Sequence, residues 1–162
     1  MNPSQLRDLI CTVLKLFDHY SEEAVDLLML TAAQESHCGK YIRQLGGGPA
    51  LGVFQMEYKT FQDILGNYLP RKPDMFGRVT DFMTNNNLNI NLTGNLLFQI
   101  VIARVHYLRV PDPLPIRSDY DEEDVYIEAM ARYWKRHWNT LAGAGTVQEA
   151  IDNYNRYGRT EL

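Results

Sequence analysis

Two short stretches hold the side chains best suited to chemistry: Gln34-Glu35-Ser36-His37-Cys38-Gly39 and, beyond a glycine-rich loop, Gly52-Val53-Phe54-Gln55-Met56-Glu57. Glu35 falls in the last turn of an apolar-periodic segment that Gly39 must end, so its carboxyl lies at the negative pole of a helix. That pole disfavours an anion by about 0.3 to 1 kcal/mol, which is roughly 0.2 to 0.7 pKa units. Desolvation against Phe54 and its apolar neighbours must supply the rest, and burial can raise a carboxyl by several units. A carboxyl that keeps its proton near neutral pH serves as a general acid toward a leaving oxygen. Glu57 offers a second carboxylate, and two acids roughly 6.5 to 9.5 Å apart suit activation of a water on the face opposite the leaving group.

Glu-Ser-His-x-Gly followed by Gly-x-x-Gln resembles the goose-type lysozymes and, more broadly, the soluble lytic transglycosylase branch of the lysozyme superfamily. Asn91, followed by a long helix ending in Tyr107-Leu108, resembles the Asn-to-Tyr-Leu motif of the transglycosylases, and the likeness covers residues 24 to 110. The Ala-Tyr-Asn-Ala-Gly motif that closes the family's pattern has no clean counterpart; Ala131-Arg132-Tyr133-Trp134 is the stretch that would place an aromatic in the same part of the cleft.

The resemblance implies a lysozyme-like helical fold with a cleft. It also implies a peptidoglycan glycosidase cutting the β-1,4 bond between N-acetylmuramic acid and N-acetylglucosamine, with Glu35 as acid. Gln55 would hydrogen-bond substrate or a catalytic water, Ser36 would brace the cleft through its hydroxyl, and Tyr107 and Tyr133 would line the site. Each has a plainer reading: a polar turn residue for Gln55, a bond to the preceding helical turn for Ser36, core packing for the tyrosines. Glu57 stands where goose-type lysozymes carry an Asp, while lytic transglycosylases generally lack an acid there and let the muramic acid 6-hydroxyl attack internally. Another acidic position of the goose-type pattern falls in the glycine loop and is missing, so muramidase and lytic transglycosylase both stay open. The rival from another class is an inactive lysozyme-like virion structural or glycan-binding protein.

A chain of 162 residues, 45% apolar, is sized for one domain over its whole length, 1–162, with a core of its own. The formal net charge of -4 offers no basic footprint for nucleic acid. Cys11 and Cys38 read as free thiols, the four histidines show no zinc spacing, and the acidic run Asp119 to Asp124 lacks the glycine and glutamate of a calcium loop. No cofactor is implied. Neither an export signal nor an apolar run long enough to span a bilayer is visible. That pattern resembles bacteriophage lytic enzymes, made in the host cytoplasm and reaching the wall or periplasm through a holin pore or within the virion. The partners it implies are glycan strands, together with virion proteins or a holin.

The elements that must position these residues are helical. Asn2-Pro3 caps a first helix with Leu6, Ile10, Val13, Leu14 and Phe17 on one face, and a second runs from Ser21 toward Gly39. The segment Leu45 to Gly52 reads as a loop, Val53 to Met56 as a short strand or extended turn, and Glu57 to Leu65 as a short helix. Asp74 is expected to cap a helix carrying Met75, Phe76, Val79, Phe82 and Met83, after a linker from Pro70 to Pro73. Leu92 to Arg109, apolar around most of its circumference, reads as one central helix. Prolines 111, 113 and 115 extend the chain before a helix from about Glu122 to Trp138. That stretch ends in a mixed aromatic and basic run, 133 to 138, suited to stacking sugars or to a buried aromatic face; Thr146 and Glu149 form a capping box for the last helix.

Overall fold

The computed structural model describes residues 1–160. As expected, the architecture is all-α with a minimal β element: among the described residues there are eight α-helices and a two-stranded antiparallel hairpin. Helix α1 (Pro3–Leu16) starts from Asn2, whose side chain accepts from the Gln5 amide. Helix α2 (Glu22–Ser36) starts from Ser21 in the same manner, with Glu22 and Glu23 favourably placed at its positive pole. Leu27 to Ala33 are then buried all round, and the helix touches α1, α6 (Leu96–Leu108), α7 (Glu123–Trp134) and α8 (Val147–Asn153). It is the axis of the molecule, and Glu35 rides on its end.

Three consecutive residues with positive φ, His37, Cys38 and Gly39, terminate α2, and the Cys38 amide returns to Ala32 O at 2.9 Å. The chain then forms a hairpin from β1 (Ala50–Leu51) and β2 (Met56–Glu57), pairing Ala50 with Glu57 and Leu51 with Met56. Strand β1 thus lies near the end of the stretch read as pure loop, and of Val53 to Met56, read as a short strand or extended turn, Val53 to Gln55 form the turn and Met56 enters β2. Helix α3 (Tyr58–Asp63) opens into a π turn to Tyr68, and α4 (Pro73–Asp81) follows. Asp74 does not cap α4: the flanking residue is Lys72, Pro73 occupies the first turn, and Asp74 lies inside it where its charge meets the positive pole.

The expected single central helix is two helices, α5 (Leu88–Gly94) and α6, bent by 98°. Asn95 breaks the run by capping α6: its side-chain Oδ1 accepts from the Phe98 amide while its Nδ2 donates to Phe82 O. Buried Asn91 ties the corner, accepting from the Thr84 and Asn95 side of the bend and donating to Asn85 O and Asn87 O. Beyond the bend, α6 runs through the core with Phe98 to Ala103 fully or almost fully buried. No single helix among the described residues is long and apolar enough to cross a membrane. Helix α7 ends at Trp134 and continues as a π turn, Lys135–Asn139, before α8 starts from the predicted capping box.

Candidate functional site

The end of α2, the hairpin and the π turn after α7 meet around a cleft of about 580 Å³, a size that holds a small-molecule or oligosaccharide fragment. Glu35, Gln55, Glu57, Thr60, His106 and Trp138 are among its walls. A second hollow, of about 510 Å³, adjoins it across Ala144 and Gly145.

Glu35 is half-buried at the cleft, and burial raises its pKa from 4.5 to about 7. The indole of Trp134 opposes this slightly by donating its Nε1–H to Glu35 Oε1 at 3.0 Å. In a protonated carboxyl the carbonyl oxygen is the better acceptor, so this bond assigns Oε1 as the carbonyl and leaves the proton on Oε2. Among the described residues Oε2 has no hydrogen-bond partner. The result is an acid near half-protonation at neutral pH with its proton on the oxygen the protein leaves free.

Ser36 does not line the cleft. It is fully buried and fastens the acid's helix to the opposite wall: its hydroxyl donates to Val53 O at 2.5 Å and accepts from the Gly39 amide at 2.8 Å. The same hydroxyl lies 3.3 Å from Ala32 O, the bond to the preceding helical turn, so the longer local contact and the shorter one to Val53 O are both present. Gln99, from the first turn of α6, adds a second tether by accepting from the Val53 amide at 2.8 Å. Gly52 makes this approach possible: a Cβ there would lie 2.3 Å from Leu92 O and 2.6 Å from Gln99 Oε1, and its φ is +79°.

Gln55 lies on the cleft wall with φ of 47°, a left-handed conformation uncommon for a residue with a side chain. The tethered turn holds it there. Its Nε2 donates to Gly52 O at 2.7 Å, which fixes the orientation of the amide and leaves Oε1 without a partner among the described residues. Glu57 follows on β2, exposed and on the same cleft. The structure therefore brings Glu35, Gln55 and Glu57 to the walls of one cavity.

The two tyrosines are corrections. Tyr107 is buried in the core beneath the cleft, not on its wall. Thr31 Oγ1 donates to Leu27 O at 2.7 Å, so at the 2.8 Å contact between them Tyr107 donates to Thr31. Tyr133 is also buried, and its hydroxyl donates to Asp112 O in the proline-rich connection. It fastens that connection to α7, because the face of α7 that meets Glu35 is one residue further along.

That next residue, Trp134, is the one the sequence reading passed over. It continues the buried stripe Ile127, Met130, Ala131, and an indole on such a stripe needs an acceptor for its N–H. His106 was likewise unforeseen at the cleft. Arg109 Nη2 donates to its Nδ1 at 2.9 Å; a guanidinium only donates, so Nδ1 carries the lone pair and Nε2–H donates to His137 O at 2.9 Å. Burial lowers the His106 pKa to about 4, keeping the ring neutral. Lys135 secures the last wall, donating to Asn139 Oδ1 at 2.6 Å and to Gly143 O at 2.8 Å. No group of three or more His, Cys, Asp or Glu among the described residues is arranged to hold a metal ion.

Compared with family models, with curated proteins and with solved structures, the chain matches none.

Proposed function

We propose that this chain is a peptidoglycan-degrading glycosidase, a muramidase or lytic transglycosylase, cutting the β-1,4 bond between N-acetylmuramic acid and N-acetylglucosamine. One observation carries the reading: Glu35 is desolvated at a helix end with its pKa raised to about 7, and it lines a cleft of about 580 Å³. Cleavage of a glycosidic bond requires such a group, because the leaving oxygen must gain a proton as its bond to the anomeric carbon breaks.

In this reading Glu35 Oε2 gives that proton, and the positive charge developing on the sugar ring faces a cleft bearing Glu57 and the free Gln55 Oε1. In a muramidase a water oriented by Gln55 then adds to the anomeric carbon and gives its proton to the Glu57 carboxylate; in a transglycosylase the muramic acid 6-hydroxyl closes onto that carbon and returns its proton to the Glu35 carboxylate. Virion association and holin-dependent release belong to the same proposal and rest on the sequence resemblance alone.

The test compares wild type with Glu35→Gln on purified cell walls by turbidity and zymogram. Clearing should fall by at least about a hundredfold, the scale on which a general acid contributes. Clearing that survives the substitution removes Glu35 as the acid, and no clearing by wild type on any wall favours an inactive binding protein of the same fold. Products with anhydro-muramic ends assign internal attack, and reducing ends assign water.

A further inference from the structure

The two tryptophans of the chain occupy different environments one helical turn apart. Trp134 is fully buried and spends its N–H on Glu35, whereas Trp138, on the π turn, is partly exposed and borders the cleft. Its ring is backed by side chains of α6: His106 at 4.5 Å between centroids and Tyr107 at 5.3 Å. Both supports are themselves fixed, His106 between Arg109 and the His137 carbonyl and Tyr107 by Thr31. The indole is therefore pre-set before any ligand arrives, and ordering it costs little on binding.

The rest of the cleft limits what such a ring can meet. Among its described lining residues there is no Lys or Arg, while two carboxylates, several amides and several hydroxyls are present. Two cations behind the wall are already engaged: Lys135 by Asn139 and the Gly143 carbonyl, and Arg109 by His106 and Asp63. An anionic polymer would find no counter-charge. A flat apolar ring beside amides and hydroxyls instead matches a neutral pyranose, whose axial C–H face lies on the indole while its hydroxyl and acetamido groups hydrogen-bond the amides.

We propose that Trp138 is a stacking platform for one uncharged N-acetylhexosamine ring, and that the cleft recognises the sugar backbone rather than the charged stem peptides. The proposal rests on the glycan reading above but makes a claim about binding that needs no cleavage.

The experiment is a fluorescence titration of Glu35→Gln with tetra-N-acetylchitotetraose, and with an oligogalacturonate of equal length as anionic control. Chitotetraose should shift the emission saturably and protect Trp138 from acrylamide quenching; oligogalacturonate should do neither. Trp138→Ala should weaken chitotetraose binding roughly tenfold, read by calorimetry, and Trp138→Phe should restore most of it, since a ring still stacks. In wall digestion by otherwise wild-type protein, Trp138→Ala should raise KM more than it lowers kcat. Quenching protection in the unsubstituted ring keeps the question answerable if the Ala variant misfolds. Unchanged affinity in a folded Ala variant, no protection of Trp138, or equal response to oligogalacturonate overturns the platform. If chitotetraose binds through Trp138 and walls are not cut, the glycosidase reading fails alone; if walls are cut and Trp138→Ala binds normally, the platform fails alone.

Discussion

Replacing Glu35 by Gln keeps an acceptor for Trp134 and removes the titration, so it isolates what the desolvated carboxyl does to stability. With its pKa raised from 4.5 to about 7, Glu35 holds a proton in the native state where the unfolded chain has lost it. Its contribution is whole below pH 4.5 and is lost as pH climbs through 7, a change of about 3 kcal/mol. His106, lowered from 6.5 to about 4, has the opposite sign: its contribution is whole above pH 6.5 and is lost, again by about 3 kcal/mol, as pH falls through 4. Between pH 4.5 and 6.5 the two slopes oppose each other and nearly cancel in the wild type. Glu35→Gln unmasks the histidine. Relative to wild type, its stability should drop by up to about 1.4 kcal/mol for each pH unit on going from neutral toward pH 4.5. Urea unfolding of both proteins across this range measures the difference directly, and the other titrating groups, common to both, drop out. A gap between the two stability curves that stays constant with pH would mean that the carboxyl is solvated, and the acid-catalyst argument would go with it.

Trp134→Phe removes the one donor that favours the Glu35 carboxylate, so the pKa should rise further. In the proposed glycosidase the protonated acid is the active form, so the alkaline limb of the pH-rate profile should move to higher pH, with about 1 to 3 kcal/mol of stability lost to the cavity. An unmoved limb would count against the contact. Gly52→Ala must place a methyl on the Leu92 carbonyl at positive φ, and should cost about 2 to 4 kcal/mol while displacing Gln55. Thermal unfolding reads this, and an unchanged Tm would show that the turn is not tethered as described.

What the sequence carried to the site was the part written in local signals. Glu35 near a Gly39 stop, and Gln55 three residues after Gly52, needed only a helix end and a turn to be placed, and both are where the spacing puts them. Partners supplied from distant helices were less legible. Tyr133 and Trp134 are adjacent and both aromatic; which one reaches the acid depends on the rotation of α7 against α2, which periodicity constrains only through the buried stripe that Trp134 extends. Tyr107 was open to a core reading or a site reading because α6 is apolar on every side, and burial all round erases the face preference that would have decided it. The corner at Gly94-Asn95 was hidden for a similar reason: Leu92, Leu96 and Leu97 sustain the apolar run across it, and only the capping capacity of Asn95 marks the break.

The bonds that give Glu35 its surroundings join parts of the chain far apart in order. Trp134 is 99 residues from it, Asn153 reaches Gln34 across 119, and Tyr126 reaches Asp26 across 100. By contrast the Asn91 corner closes within a dozen residues and can assemble as soon as that stretch exists. A nascent chain that has emerged only as far as α6 therefore carries Glu35 as an ordinary, solvated acid with no indole beside it. Docking of α7 is what places the indole beside the carboxyl, so a chain stopped short of it would carry Glu35 without the surroundings that raise its pKa.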